Sequence, residues 1–445
     1  AVIKTAYNAN FERTCLAAWT KRPMPPEEWR CTAVRAATLG LPSTLGGVGA
    51  ALGLPEDQQK NAIGKQLINY FCKPCKPTKT NGGRTRNLPE HAPEKWAQFV
   101  EYNRQDVVAE AAILDKLRVY PIPDTEQKLW ELDQKMNDRG IALDMDLAEK
   151  IIRFEPQYRS RLTAEAVQIT GLENPNSLTQ LKEWYQQTYG IPITSLTKDT
   201  IPEIREQLPT GSGRRMLEIR SELGKTSVKK YQAMQNAVCP DGRLRGILQF
   251  YGANRTGRWA GRIVQVHNLP QNKIPDLELT RELVKDEDFD TLEMLFGGLP
   301  YVFSQLVRTA FVPSPGCRFV VSDFSAIEAR VIAWLADEDW RLKVFRTHGK
   351  IYEASAAQMF HVPLDQVKKG SKLRQQGKIA ELALGYGGGF GAIKAMDKAG
   401  AIPDDEIPMI ITNWRKASPK ICKFWYNAEA AAKTAIEEHR TVKLK

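Results

Sequence analysis

A long stretch of helical periodicity, from Thr125 to Tyr231, constrains the fold more than any other feature of this sequence. Apolar residues recur there at the spacing of one helix face in two places, Leu129, Leu132 and Met136, and Met216, Ile219 and Leu223. Since 445 residues are too many for one compact core, we expect a helix-rich chain of about three domains.

The flanking sequence changes character several times. Pro121-Ile122-Pro123-Asp124 predicts a boundary, because paired prolines disfavour helix. The other segments are predicted as follows: residues 1–120 helical with Pro- and Gly-rich loops at 40–55 and 73–93, residues 241–272 strands and loops, residues 317–338 a strand and then a helix, and residues 340–445 mostly helical around a glycine cluster at 385–391.

The chain is basic, with a formal net charge of +11 and a pI near 9.2. Such an excess favours a polyanionic partner, because neutralising phosphates releases their counterions, although a basic enzyme without such a partner has the same charge. No apolar run approaches the ~18 residues of a membrane span, and no basic-then-apolar leader opens the sequence. We therefore expect a cytoplasmic protein without a membrane partner. The chain starts at Ala1, so we also expect a fragment.

Seven scattered cysteines give little sign of a metal site or a disulfide framework. The pair Cys72 and Cys75 has the spacing of zinc ligands, but no second pair accompanies it. A reduced pair in a loop is the favoured interpretation.

An aspartate follows the predicted strand at Arg318–Val321. A carboxylate at a strand end is well placed to bind a hard divalent cation, although Asp323 alone is equally a turn residue. The helix is expected to begin at Ser325, where Ser325 and Glu328 have the spacing of a capping box.

A second pattern places Arg374, Lys378, Leu382 and Tyr386 four residues apart, on one slanting face of a helix. Two cations at this spacing repel each other unless an anion lies between them, and a triphosphate is such an anion. The alternative is a solvated basic face.

Residues 323–330 (Asp-Phe-Ser-Ala-Ile-Glu-Ala-Arg) closely resemble motif A of family A DNA polymerases. The resemblance implies that Asp323 and the carbonyl of Phe324 bind the catalytic Mg²⁺ ions, for which Mn²⁺ is a substitute. It implies that Glu328 lies beneath the incoming sugar and excludes a ribose 2′-OH. Arg330 is expected to support the hydrogen bonding of the site and to contact DNA.

The spaced helix is similar to motif B of the same family. The resemblance implies that Arg374 and Lys378 hold the triphosphate, that Lys378 protonates the leaving pyrophosphate, and that Tyr386 stacks near the templating base. Leu382 stands where the family has an aromatic residue, and Glu381 is an additional acid. The glycines at 385–391 lack the Gly-Lys-Ser/Thr of a P-loop and are interpreted as a helix end and hinge.

Residues 254–272 look like the family's primer-template segment. The expected DNA-binding residues are Arg255, Arg258, Arg262, Gln265, His267 and Asn268. Gln265 and His267 replace the usual amides, and an ordinary arginine-rich loop is the alternative.

The N-terminal region resembles part of a DEDDy-type 3′–5′ exonuclease. Residues 6–12 match its second motif through Asn8 and Glu12, and Tyr102 with Asp106 matches its third. The resemblance implies catalytic roles for Glu12, Tyr102 and Asp106, with Glu12 and Asp106 as metal ligands. Glu12 replaces the usual Asp, and Tyr-x-x-x-Asp is also common by chance on helices.

The resemblances together imply a helix-rich α+β fold, with an RNase H-like exonuclease remnant before a right-hand polymerase. The expected domains are residues 1–120 (partial exonuclease), 121–240 (thumb), 241–338 (palm) and 339–445 (fingers). The expected function is template-directed DNA synthesis from dNTPs on primer-template DNA, of phage type and in the host cytoplasm or nucleoid. A single-subunit RNA polymerase and a non-catalytic DNA-binding remnant are the alternatives. No match to the family's His-Asp-Glu motif exists, so this segment alone is expected to be deficient in synthesis. The first exonuclease motif, an Asp-x-Glu, is also not matched, so the exonuclease is expected to be incomplete.

Overall fold

The computed structural model describes residues 2–55, 63–197, 200–253, 256–397, 400 and 402–444. The chain divides into two compact units, Ala1–Arg318 and Phe319–Lys445. Within the described ranges, no helix has both the length and the hydropathy of a membrane span.

The first unit contains fourteen described α-helices and seven short strands. The helices are α1 Asn10–Thr20, α2 Thr32–Thr38, α3 Leu45–Ala51, α4 Gly64–Cys72, α5 Pro93–Lys116, α6 Asp124–Arg139, α7 Met145–Thr170, α8 Leu178–Tyr189, α9 Ile201–Gln207, α10 Ser212–Leu223, α11 Val228–Ala237, α12 Leu277–Lys285, α13 Phe289–Phe296 and α14 Leu299–Leu306. The strands are β1 Lys4–Ala6, β2 Trp29–Cys31, β3 Ile141–Leu143, β4 Arg243–Leu244, β5 Leu248–Ala253, β6 Arg258–Gly261 and β7 Phe311–Val312.

The strands form three small sheets. β1 and β2 are parallel, β3 lies between β4 and β7 in an antiparallel sheet, and β5 and β6 form an antiparallel hairpin. The largest core forms where α7, α10, α11 and α14 pack together, around side chains such as Leu147, Tyr158, Met216 and Phe303. The strands and loops predicted at 241–272 are confirmed, as is the helical region before them.

Helix α7 begins and ends as its sequence indicates. The Asp144 carboxylate accepts a hydrogen bond from the Leu147 amide at 3.2 Å, which satisfies one of the unpaired N–H groups of the first turn. It also forms ion pairs with Arg281 and Lys285 of α12. Gly171, at φ +66°, ends the helix in the left-handed conformation that glycine tolerates. One carboxylate therefore both caps α7 and ties it to α12.

Helix α6 packs with its polar face inward, contrary to its apolar pattern. Leu129 and Leu132 are 37% and 48% exposed. The buried residues are Gln127, Trp130, Asp133, Gln134 and Asn137. Asn137 exchanges two hydrogen bonds, both 3.0 Å, with the backbone of Leu248 at the edge of β5. The polar side chains are buried because they satisfy a strand edge that apolar residues would leave unpaired.

The N-terminal region contains one more helix than its sequence predicts, and its paired cysteines are free. The segment 40–55, predicted as a loop, contains α3, and the Thr44 hydroxyl accepts from Gly47 N at 3.1 Å as its cap. The loop prediction was wrong there because one capped turn outweighs a glycine-rich composition. Cys72 and Cys75 are free thiols, and Cys75 Sγ lies 3.4 Å from the Arg84 carbonyl oxygen.

The described part of the second unit consists of helices joined by loops. Its helices are α15 Ile327–Ala336, α16 Asp339–Thr347, α17 Ile351–Phe360, α18 Lys372–Leu384, α19 Phe390–Met396, α20 Ile407–Ala417 and α21 Pro419–Glu437. Its core surrounds α18 and includes Met359, Leu384, Ile410, Trp414 and Ile421. The prediction of a mostly helical region with a break at the glycine cluster is confirmed.

The strand predicted at Arg318–Val321 is absent from the described residues. Val320 and Val321 are 85% and 90% exposed, and no described strand pairs with this segment. β-branched residues form a strand only when a neighbour accepts their backbone hydrogen bonds, and none is placed there. The capping box is also not formed, because Ala326 at φ +51° precedes a helix that begins at Ile327.

Candidate active site

The segment that carries Asp323 and Phe324 lies open to solvent in the second unit, just before α15. Both residues are exposed, Phe324 at 78%. Arg330, one turn into α15, donates through Nε to the Ser325 carbonyl oxygen at 2.9 Å. The Arg330 guanidinium also lies 4.4 Å from the ring centroid of Phe345 on α16. Arg330 therefore holds the end of the loop through Ser325 and contacts α16 through Phe345.

The four residues spaced along α18 share its accessible face. Arg374, Lys378 and Leu382 are half-buried, and Tyr386, just past the helix end, is 69% exposed. The opposite face is buried and consists of Gln376, Gly377, Ile379, Ala380, Glu381, Ala383 and Leu384. The spacing of four thus places two cations, an apolar side chain and an aromatic ring along one surface.

Close packing of α17 against α18 depends on Gly377. A Cβ atom at this position would lie 2.3 Å from the Tyr352 carbonyl oxygen, and that oxygen belongs to the α17 backbone. Without a side chain at residue 377 the two helices approach closely, so Tyr352 and Glu353 are carried to the side of Arg374.

Arg374 is held in place by the neighbouring helix. Its Nε donates to Glu353 Oε1 at 2.6 Å, and its guanidinium lies 5.7 Å from the ring centroid of Tyr352. Burial raises the pKa of the Glu353 carboxyl, but the hydrogen bond from Arg374, a backbone hydrogen bond and the charges of Arg374 and Lys350 together outweigh burial, so the pKa is lowered. Burial, and then the charge of Glu381, raise the pKa of the Tyr352 phenol. Glu353 therefore stays ionised and orients a guanidinium fork.

The additional acid of this helix, Glu381, belongs to a buried polar cluster. Its carboxylate accepts from Arg341 at 2.5 Å, from Ser355 at 2.6 Å and from Trp414 at 2.8 Å. Arg341, which is fully buried, also donates to the Ser418 hydroxyl at 2.8 Å. Both charges are paired and hydrogen-bonded, as buried charges must be, so the role of Glu381 is structural.

A cavity of about 490 Å³ joins the two motifs within the second unit. Its lining residues are Asp323, Phe324, Ala326, Ile327, Glu328, Ala329, Val331, Ile332, Leu335, Tyr352, Glu381, Leu382, Gly385 and Tyr386. The structure thus brings Asp323, Phe324 and Glu328 together with Leu382 and Tyr386. Arg374 and Lys378 do not line this cavity, but Tyr352, which does, contacts Arg374.

The donor set for a metal is incomplete among the described residues, where no group of three His, Cys, Asp or Glu side chains is placed to hold an ion. Asp323 would offer one carboxylate to a metal ion, and the neighbouring Phe324 carbonyl would offer a second oxygen. One carboxylate with substrate phosphates and water suits Mg²⁺, but it does not make a two-metal centre.

The predicted primer-template residues begin in β6 of the first unit, with Arg258, and continue past the end of that strand. Arg258, Arg262, Gln265, His267 and Asn268 are all exposed. Arg255 lies outside the described residues. The next residue after Arg258, Trp259, donates through Nε1 to Asp133 Oδ1 at 2.8 Å, which anchors the strand to α6. The hairpin therefore presents Arg258 to solvent from an anchored strand, and the other polar side chains are exposed on the segment that follows.

The predicted exonuclease residues lie on two helices of the first unit and on the loop before the first of them. Tyr102 and Asp106 lie one turn apart on α5, and Asn8 precedes α1, which carries Glu12. Tyr102 is 6% exposed and packs in an aromatic cluster with Phe71 and Phe99. The charge of Glu110, one turn beyond Asp106 on α5, acts on the carboxyl of Glu12. Burial raises the pKa of Glu12, and the charge of Glu110 adds to this effect.

Sequence reasoning missed Glu110, although its spacing of four from Asp106 was the available signal. Thr32 Oγ1 donates to Glu110 Oε1 at 2.8 Å, and burial raises the pKa of this carboxyl as well. It also missed Tyr352 and Glu353, which no motif marks and which are separated from Arg374 by more than twenty residues.

Comparison with known proteins gives consistent results. The model of DNA polymerase family A matches residues 149–443. A DNA polymerase of Bacillus phage SP02 is 57% identical over 444 residues, which cover 100% of this chain and 68% of that protein. The thermostable DNA polymerase I of Thermus aquaticus is 25% identical over 309 residues, covering 67% of this chain and 33% of that protein.

A solved structure gives the same fold. The POL domain of Pol1 from M. smegmatis, in complex with DNA primer-template and dNTP, superposes with a TM-score of 0.57 at 18% identity, covering 98% of this chain and 66% of that one. The predictions of a helix-rich α+β fold, a DNA-directed DNA polymerase and a phage-type relative are confirmed. The chain belongs to DNA polymerase family A.

Proposed function

We propose that the cavity beside α15 and α18 binds the incoming dNTP for nucleotidyl transfer to a primer 3′-OH in phage DNA replication. The observation that carries the proposal is the shared cavity itself. It joins the acidic Asp323 and Glu328 of one motif to Leu382 and Tyr386, which end the accessible face that also carries Arg374 and Lys378. An acidic edge next to a cationic helix face suits a metal-bound triphosphate.

The nucleotide is recognised in parts. Arg374 is held by Glu353 before any ligand arrives, so its fork meets phosphate oxygens without first losing rotamer freedom. Lys378, one turn further along, adds a point charge and a proton donor for the leaving pyrophosphate. Glu328 and Leu382 border the sugar, and Tyr386 stacks near the templating base.

Mg²⁺, or Mn²⁺ in its place, would supply Lewis-acid stabilisation of the phosphoryl oxygens. Asp323 and the carbonyl of Phe324 are the groups of this chain that would hold it. Arg330 positions these two groups by holding the Ser325 carbonyl. One carboxylate does not define a two-metal centre, so the roles proposed for this chain concern the nucleotide.

The remaining assignments are proposals of the same kind. Residues 1–120 form the partial 3′–5′ exonuclease, residues 121–240 the thumb, residues 241–338 the palm and residues 339–445 the fingers. Glu12, Tyr102 and Asp106 are catalytic residues of the exonuclease. The protein acts in the cytoplasm of the host. The exposed residues of β6 and of the segment after it, from Arg258 to Asn268, contact primer-template DNA.

A nucleotide-binding titration tests the proposal. Binding of a fluorescent dATP analogue with Mg²⁺ is measured for the wild type, Lys378→Gln and, as a matched control, Lys433→Gln on the exposed face of α21. We expect Lys378→Gln to weaken binding about tenfold or more, because a charge-assisted contact contributes about 1.5–3 kcal/mol. Equal affinities for all three proteins would contradict the proposal.

The two alternatives make different predictions. The relative affinities of fluorescent dATP and ATP analogues distinguish an RNA polymerase, because a DNA polymerase binds the deoxynucleotide more tightly, and Glu328→Ala is expected to reduce that preference. A non-catalytic DNA-binding remnant would keep its role in phage replication after Asp323→Asn, whereas a polymerase would lose it.

A further inference from the structure

The loop between α4 and α5 carries a concentrated positive charge that none of the proposed sites uses. Residues 73–86 contain five basic and no acidic residues. The basic residues are Lys73, Lys76, Lys79, Arg84 and Arg86. All but Arg84 are exposed, and within the described ranges none of the five forms a salt bridge. A surface of this kind is electrostatically costly until a polyanion binds it.

The loop is held in one shape by its own side chains. Asn81 accepts from the Thr78 amide at 2.9 Å, and its amide nitrogen donates to the Lys76 carbonyl oxygen at 2.8 Å. Arg84 donates to Asn87 Oδ1 at 2.9 Å, so its side chain stabilises the loop itself. Gly82 and Gly83, directly after Asn81, make the turn with φ of +67° and +74°, in the left-handed region that glycine tolerates. A fixed loop binds a ligand at a smaller entropic cost than a flexible one.

Aromatic rings lie at the base of the same loop. Asn87 Nδ2 donates to the Tyr70 carbonyl oxygen at 3.0 Å, which ties the end of the loop to α4. Tyr70 contacts Phe71, and Phe71 lies 5.2 Å from Trp96, between ring centroids. Trp96 is 37% exposed. Flat aromatic surface beside cationic side chains is what unpaired bases stack on, whereas a duplex keeps its bases paired and stacked internally.

We propose that the loop 73–86, with Trp96 at its base, binds the backbone and bases of single-stranded DNA. The exposed lysines contact phosphates, and the aromatic base of the loop accepts a stacked nucleobase. This inference rests on the proposed function only in that the ligand is DNA. The dNTP cavity belongs to the other compact unit, so the two can be tested separately.

The first test compares two triple variants of the 445-residue chain that lose the same net charge. Lys73→Gln, Lys76→Gln and Lys79→Gln remove loop charges, whereas Arg22→Gln, Lys116→Gln and Lys128→Gln remove exposed charges elsewhere in the first unit. Binding of a labelled oligo-dT is measured between 50 and 300 mM salt. Losing three phosphate contacts is expected to reduce the salt slope by about 2 and the affinity at 0.1 M salt by about a hundredfold. The control is expected to keep the wild-type slope, and Lys→Arg at the loop positions is expected to restore it.

The second test locates the bound strand. Lysine acetylation is mapped by mass spectrometry with and without oligo-dT, and we expect protection at Lys73, Lys76 and Lys79 but not at Lys116 or Lys128. Equal slopes for both triple variants, or an unprotected loop under saturating oligo-dT, overturns the inference. The two proposals are tested by different ligands. Oligo-dT binding by the loop variants tests the single-stranded DNA site, and dATP binding by Lys378→Gln tests the dNTP site, so either proposal can fail while the other holds.

Discussion

Removing the carboxylate of Glu381 is predicted to destabilise the second unit strongly. In Glu381→Ala the Arg341 guanidinium loses its ion-pair partner at 2.5 Å, and the Ser355 and Trp414 donors lose their acceptor. The side chains of Arg341 and Glu381 are 1% and 2% exposed, so water cannot readily replace the lost partner. An unpaired charge and two unsatisfied donors remain in the core.

The expected cost follows from this burial. Breaking a buried pair by removing one partner costs about 3–5 kcal/mol, because the remaining charge stays desolvated. For a compact unit of roughly 130 residues, 1 kcal/mol shifts the melting temperature by about 4 °C. Glu381→Ala is therefore expected to lower the transition of this unit by about 12–20 °C. Replacing both partners, as Arg341→Met with Glu381→Leu, is expected to recover part of that loss, because the unpaired charge is removed while the Ser355 and Trp414 donors still lack an acceptor.

Calorimetry of the whole chain measures the effect, with the transition assigned by hydrogen exchange at the α18 amides. Glu429→Ala is the matched control, because Glu429 pairs with Lys433 at 2.6 Å with both side chains more than half exposed. It is expected to change stability by less than about 1 kcal/mol. If Glu381→Ala melted within a few degrees of Glu429→Ala, the reasoning from buried charge would be refuted.

Three further predictions follow from the packing and the donor set. Gly377→Ala is expected to destabilise the second unit by about 1–3 kcal/mol in denaturant unfolding, since the added Cβ would meet the Tyr352 carbonyl oxygen; a neutral result would contradict the close approach of α17 and α18. Burial raises the pKa of Asp133 from 3.8 to about 6, so the folded state holds this proton more tightly than the unfolded chain does. The tighter binding of this proton adds to the free energy of unfolding. The contribution is fully present below about pH 4, is lost as the pH rises through 6, and amounts to about 3 kcal/mol at most. Asp133→Asn is expected to flatten the pH dependence of unfolding in that window, and an unchanged profile would count against it. Primer extension by the 445-residue chain is expected to be deficient, because Asp323 supplies one carboxylate and a two-metal centre needs more. Robust synthesis would contradict the claim that Asp323 is the one metal-binding carboxylate of the site.

Local pattern was enough to predict the accessible face of α18. A spacing of four fixes which residues share a helix surface whatever the tertiary context, so Arg374, Lys378, Leu382 and Tyr386 were grouped correctly. The helix-rich class and the family followed from patterns of the same local kind.

Features decided by distant partners could not be predicted. The apolar run at Val320 and Val321 has the composition of a strand, but pairing depends on a neighbour that the run does not encode. Helix α6 buries Asp133 and Asn137 because a strand edge and Trp259 need their hydrogen bonds. The partnership of Glu353 with Arg374, like that of Glu381 with Arg341, joins residues too far apart in sequence for periodicity to reveal.

The most direct test of the nucleotide site is a crystal structure of the chain with a non-hydrolysable dNTP and Mg²⁺. We predict the triphosphate within hydrogen-bond distance of Arg374 and Lys378, the metal on the Asp323 carboxylate, and the sugar between Glu328 and Leu382. A nucleotide bound elsewhere, with the cavity of Asp323 and Tyr386 empty, would contradict the account.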